Sequence, residues 1–185
     1  MRSQEGVTID RGLSACCRKN LVSIRAGALL DERRTGDVSG ASVEGMTIML
    51  RMHQSIVDRI TNHAERMAPI EACGYLGGAG GVITESVELR NVDNSAEHFA
   101  FDPAEQFGAI RQLRARGLKA LAVYHSHPAT PARPSEEDIR LANDPSVSYV
   151  IVSLADGVHT VKSFRIAKGI AEHEDLHIVE QGGVA

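Results

Sequence analysis

Leu118-Lys119-Ala120-Leu121-Ala122-Val123-Tyr124 runs directly into His125-Ser126-His127-Pro128, and this junction limits the architectures open to the chain. A mostly apolar run of strand length reads as a central strand buried in its sheet, which needs helices to cover it. Pro128 lacks a backbone donor and ends the pairing, so both imidazoles stand at the strand's end, where a cleft can form. Side chains two apart on a strand share a face. His125 and His127 can therefore converge on one metal ion.

The rest of the chain supplies partners for that strand. Thr47 to Leu50 is a short strand candidate. Apolar positions at Ile56, Val57, Ile60, Ala64 and Met67 mark a helix over 53–67, stopped by Pro69. Ala72 to Leu76, Gly77-Gly78, Gly80-Gly81 and Val82 to Leu89 read as a hairpin with a glycine-rich turn. Asp102-Pro103 opens a second helix, expected to turn Phe107, Ile110 and Leu113 inward and to stop at Gly117. Ser135 to Ala142 is a short third helix. Ser148 to Leu154, His159 to Ile166 and a segment near Leu176 to Val179 complete the sheet, with Asp156-Gly157 as a turn between the first two. The pattern predicts an α/β fold, a mixed β-sheet flanked by helices. Residues 1–45 carry scattered glycine, mixed charge and no sustained period, so they read as a loosely ordered or non-native extension before a domain at 46–185.

Composition narrows the function classes. A formal charge of -4 with no long Lys/Arg run gives no nucleic-acid footprint. No apolar stretch approaches the roughly 18 residues of a membrane span, and charges at Glu5, Asp10, Arg11, Arg18 and Lys19 interrupt any secretory apolar segment. Cys16 and Cys17 are adjacent, which suits neither a metal clip nor an ordinary disulfide, and Cys73 is the third cysteine. An odd count points to a reducing compartment, so the cytoplasm is expected.

Downstream of the two histidines stand Ser135 and Asp138, the nearest carboxylate that a helix start can aim back at them. Two His and one carboxylate form a known ligand set for catalytic zinc, with the fourth position left to water. Each piece has a plainer interpretation. A His-x-His pair in a strand is usually two surface imidazoles, and Ser-x-x-Asp after a proline is a helix capping box. Together they are far more specific: His-x-His-Pro, six residues, Ser, two residues, Asp arises by chance on the order of once in 10^5 chains of this length.

That spacing resembles the JAMM/MPN-plus zinc metalloprotease family, whose signature adds an upstream Glu. The resemblance covers about residues 46–180 in the order of elements, and Glu71 in Pro69-Ile70-Glu71-Ala72-Cys73-Gly74-Tyr75-Leu76-Gly77 best matches the upstream acid, ahead of Glu65. The resemblance implies a JAMM/MPN, cytidine-deaminase-like fold with Zn2+ held by His125, His127 and Asp138. It implies Glu71 as general base for the bound water and Ser135 as an oxyanion partner that also caps its helix. Ser126 lies between the ligands on the opposite face and is given no catalytic role.

A second metal-like motif, His173-Glu174-Asp175-Leu176-His177, spells the His-Glu-x-x-His of zincins. That motif works only on a helix with a third ligand, and Leu176, Ile178 and Val179 suit a strand, so coincidence is expected. His53, His63, His98 and His159 lack partners at metal spacing. Cys73 can point with Glu71 toward the cleft but reads as a small buried filler. No Pro-Cys-x-x-Cys of the cytidine-deaminase chemistry is present.

The compact members of the resembled family act on ubiquitin-like sulfur-carrier proteins with Gly-Gly tails. The resemblance therefore implies a peptidase or isopeptidase that cleaves an amide after such a tail, releasing an amino acid such as cysteine or a protein. A narrow cleft suits a Gly-Gly tail because glycine lets the backbone approach closely. A non-catalytic scaffold of the same fold and a zinc peptidase of short peptides are the alternatives. Oligomeric state, a dimer included, is left open.

Overall fold

The computed structural model describes residues 49–180. Residues 1–45, Cys16 and Cys17 among them, and the C-terminal Gly182-Gly183 lie outside the described residues. The elements run β1 (Met49–His53), α1 (Gln54–Met67), β2 (Cys73–Ala79), β3 (Val82–Leu89), α2 (Pro103–Ala115), β4 (Lys119–His127), α3 (Glu136–Leu141), β5 (Ser148–Ser153), β6 (Thr160–Ala167) and β7 (Ile170–Val179). A single 3-10 turn, Ala155–Gly157, links β5 to β6.

The strands form one mixed sheet in the order β1-β3-β2-β4-β5-β6-β7. It closes on itself because β1 pairs in parallel with both β3 and β7. β4 sits in the middle, antiparallel to β2 and parallel to β5. From Ala122 to His127 every β4 residue is buried, as expected of a central strand. Gly80 and Gly81 make the β2–β3 turn with φ of 61° and 77°, a left-handed pair that side chains resist. β2 runs on through Gly77 and Gly78 to Ala79, with a register shift there. Leu113 of α2 packs where a Cβ at Gly77 would stand, so that glycine lets helix and strand meet.

Two apolar cores lie on the two faces of β4. Ala122 and Tyr124 pack with Ile56, Ile60 and Ala64 of α1. Val123 packs with Ile110 and Leu113 of α2 and Ile151 of β5. Full burial of such side chains stabilises by roughly 1.5–3 kcal/mol each. His125 and His127 follow Val123 in the alternation and emerge on the α2 side.

Two expectations are corrected. Phe107 does not point inward: it is 61% exposed, with the Arg111 guanidinium 5.7 Å from its ring centre. The buried face of α2 is Gln106, Ala109, Ile110 and Leu113, an i, i+3, i+4, i+7 stripe that leaves position 107 about 100° round the helix. The last strand is also longer than Leu176 to Val179, starting at Ile170. Its early half is charged, and its buried member is Glu174, whose Oε2 accepts from Ser163 Oγ at 2.6 Å. Hydrophobic periodicity cannot register a strand seated on a carboxylate. No helix of the described residues is long and apolar enough to cross a membrane.

Candidate active site

Pairing of β4 with β5 continues to His127↔Ser153, carrying the strand through both histidines up to Pro128. His125 and His127 are 2% and 5% exposed, and their Nε2 atoms lie 3.1 Å apart. Asp138 Oδ2 stands 3.4 Å from His125 Nε2 and 3.6 Å from His127 Nε2. His127 Nδ1 faces Pro131 O at 3.1 Å. A carbonyl only accepts, so Nδ1 donates to it and Nε2 is the ring nitrogen that faces the cluster. Donors at about 2.0 Å from a tetrahedral ion would sit roughly 3.3 Å apart, which matches these three separations. Among the described residues this trio is the group able to hold a metal ion.

Asp138 is aimed by its helix. Ser135 caps α3: its Oγ accepts from Asp138 N at 3.1 Å, while its N and Oγ donate to Asp138 Oδ2 at 2.8 and 2.7 Å. The capping box and the ligand geometry are thus one structure. Burial would raise the Asp138 carboxyl. The charge of His125 beside it, with hydrogen bonds from His125, His127 and Ser135, instead holds it well below the usual carboxylate range.

Glu71 enters from the start of β2. Its carboxylate is 2% exposed, and Oε1 lies 3.9 Å from His127 Nε2. The backbone around it is fixed: Ser126 N donates to Ala72 O and Ala72 N donates to Ser126 Oγ, both at 2.8 Å, and Glu71 N donates to Ser95 O at 2.9 Å. The structure therefore brings Glu71, His125, His127, Ser135 and Asp138 to one place.

Three residues that motif spacing does not reach support this cluster. Ser126, with no catalytic role expected, ties β4 to the segment bearing Glu71. Phe99 stacks on His125, ring centres 4.8 Å apart. It holds a ring whose buried Nδ1 has no hydrogen-bond partner. Asn91, 4% exposed, donates through Nδ2 to the carbonyls of Glu71, Ser95 and His98 and accepts from Asp93 N and Ala100 N. None has a ligand-type side chain in a signature position. Their only sequence signals were Ser126 between the histidines and polar residues clustered after Leu89.

The remaining candidates stay apart. His173 and His177 are exposed on β7, and four residues of strand span roughly 13 Å, too far to share an ion. The zincin reading fails on geometry. Cys73 is buried, donates to Leu89 O at 3.6 Å, and has its thiol pushed up to about 12 by burial and then by Glu71 and Glu105. It is a filler, inert as a nucleophile. His63 contacts Tyr124 OH at 2.8 Å, His98 contacts Ser95 Oγ at 3.1 Å, and His159 pairs with Glu65 at 3.2 Å.

Comparison with known proteins agrees with this geometry. Residues 53–167 match the family described as prokaryotic homologs of the JAB domain. The CysO-cysteine peptidase of Mycobacterium tuberculosis is 33% identical over 141 residues, covering 75% of this chain and 97% of the relative. A probable TtuB-protein conjugate cleaving protease of Thermus thermophilus is 33% identical over 123 residues, covering 66% and 79%. The solution structure of a protein from Desulfitobacterium hafniense superposes with a TM-score of 0.66 at 42% identity, covering 72% of this chain and 94% of that one. By fold, by signature spacing and by similarity, the chain belongs to the prokaryotic JAB-domain family, the JAMM/MPN peptidases that its sequence resembles.

Proposed function

We propose that residues 46–185 form a zinc-dependent peptidase that hydrolyses the amide following the Gly-Gly tail of a ubiquitin-like sulfur-carrier protein, releasing an amino acid such as cysteine or a protein. The observation that carries this reading is the buried Glu71 carboxylate 3.9 Å from a metal-type donor trio. A carboxylate able to act as base stands beside a set of metal-type donors. The two peptidase relatives, named for CysO-cysteine and for TtuB-protein conjugates, support the substrate class. A cytoplasmic setting belongs to the same proposal and rests on the odd cysteine count and the free buried thiol of Cys73.

His125, His127 and Asp138 would hold the zinc, which when bound supplies Lewis-acid character and lowers the pKa of water toward about 7. Glu71 accepts a proton from the attacking water and delivers it to the leaving amine. Ser135 turns its hydroxyl to the oxyanion of the tetrahedral intermediate, giving up its bond to Asp138 Oδ2. His127 keeps its orientation through Pro131 O during these steps. A non-catalytic scaffold has no use for a buried base beside three intact donors.

Glu71→Gln keeps the shape of the side chain and removes its basicity. Zinc content should be unchanged, while hydrolysis of a Gly-Gly-linked carrier conjugate falls by about 10^2–10^4-fold. An unchanged rate in a zinc-loaded variant overturns the mechanism. Faster cleavage of free short peptides than of the carrier conjugate overturns the substrate class.

A further inference from the structure

Beside His125 and Asp138, on the α2 and α3 side, lies a pocket that the proposed chemistry does not use. Its floor is Val123, Ile151 and Ile166, exposed by 1%, 0% and 2%, and Phe99, Leu141 and Tyr149 form walls. The floor is closed, so the pocket is blind. Gln106 also lines it, 2% exposed; its Nε2 contacts Tyr75 OH at 2.7 Å, while Oε1 is buried without a hydrogen-bond partner. An apolar hollow with one unsatisfied acceptor is built to receive a side chain.

Which side chain follows from position, given the Gly-Gly reading on which this inference rests. Two metal-type donors line the pocket, so its occupant lies close to the scissile bond. The two tail residues before that bond are glycines and have no side chain. The residue before them starts roughly 7 Å further along an extended chain. We infer that the pocket takes the side chain of the residue on the leaving side, and that it selects an uncharged, largely apolar one. A blind floor suits an amino acid or peptide whose side chain ends there. It does not suit a lysine stem, which must pass out of the far end into a folded protein. An acidic side chain would meet the carboxylates of Glu137 and Asp138, which line the same pocket.

The test is a series of carrier conjugates ending Gly-Gly-X, with X as Leu, Met, Cys, Gly, Asp or the ε-amine of a protein lysine. Apolar X should exceed Gly by at least about tenfold in kcat/KM, the size expected for filling a hydrophobic pocket, with Asp and protein-lysine conjugates below Gly. Ala142→Phe, which fills the pocket, should bring the Leu-to-Gly ratio toward one. Leu141→Ala should shift the optimum to a larger side chain, and it carries the variant test where Ala142→Phe does not fold. Equal rates for Leu and Gly, or unchanged ratios in both variants, overturn the pocket assignment while leaving the Gly-Gly reading intact. If no conjugate is cleaved, the Gly-Gly reading fails, and methyl NMR decides the pocket separately. Free leucine, and not aspartate, should shift the Ile151 and Ile166 methyl signals; no shift from leucine overturns the inference.

Discussion

The chain carries two histidine pairs that look alike as strings and differ as chemistry. His125 and His127 sit two apart on a central strand, so they share a face at about one side chain's spacing, and both are buried. His173 and His177 sit four apart on β7, which puts them roughly 13 Å from each other along the strand. The first pair meets a carboxylate delivered by a capped helix. The second meets solvent; His173 has a 3.8 Å contact with exposed Asp175 and an edge-to-face contact with Phe164, ring centres 5.7 Å apart. A metal motif is a statement about secondary structure as much as about residue type.

The strongest way to break this contrast is at the ligands. His125→Ala should lose stoichiometric zinc and with it the hydrolysis, whereas His173→Ala and His177→Ala should keep both; metal analysis of the purified variants decides, and the reverse result moves the site to β7. Ser135→Ala should lower kcat by about 10^2–10^3-fold if the hydroxyl meets the oxyanion. It should also remove about 1 kcal/mol of helix-cap stability, and steady-state kinetics beside thermal unfolding separate the two effects. Asn91→Ala should reduce kcat by about 10–100-fold with zinc retained, the range for supporting residues around a metal site; a change in KM alone would place Asn91 outside the positioning of Glu71.

The smallest effect is in acid. The Asp138 carboxyl is held below its ordinary value, so its contribution to the apo protein's stability is present above the unfolded value of 3.8 and lost as pH falls below it. Urea unfolding of metal-free protein between pH 5 and 3 should show that loss, flattened by Asp138→Asn and untouched by Asp175→Asn.

Much of this is legible in the sequence. The strand through Tyr124, the α1 stripe at Ile56, Ile60 and Ala64, the Gly80-Gly81 turn and the convergence of His125, His127 and Asp138 follow local patterns, and local patterns survive folding. What escaped was non-local or polar. Closure of the sheet depends on β1 finding β7 across more than a hundred residues of sequence. β7 hides its burial in Glu174, satisfied by Ser163. Phe107 is apolar yet outward because Gln106 takes the buried position and bonds Tyr75. Asn91 works by five hydrogen bonds from a loop, and no periodicity announces a hub.

The bonds exchanged between Ala72 and Ser126 have a last consequence. They hang the Glu71 carboxylate and both imidazoles from one backbone ladder, with no hinge between them. The relative placement of Glu71 and His127 is then settled as the chain folds, not on encounter with substrate, and reorganisation adds little to the barrier. That half of the site has no separate melting of its own. It lasts as long as the middle of the sheet lasts.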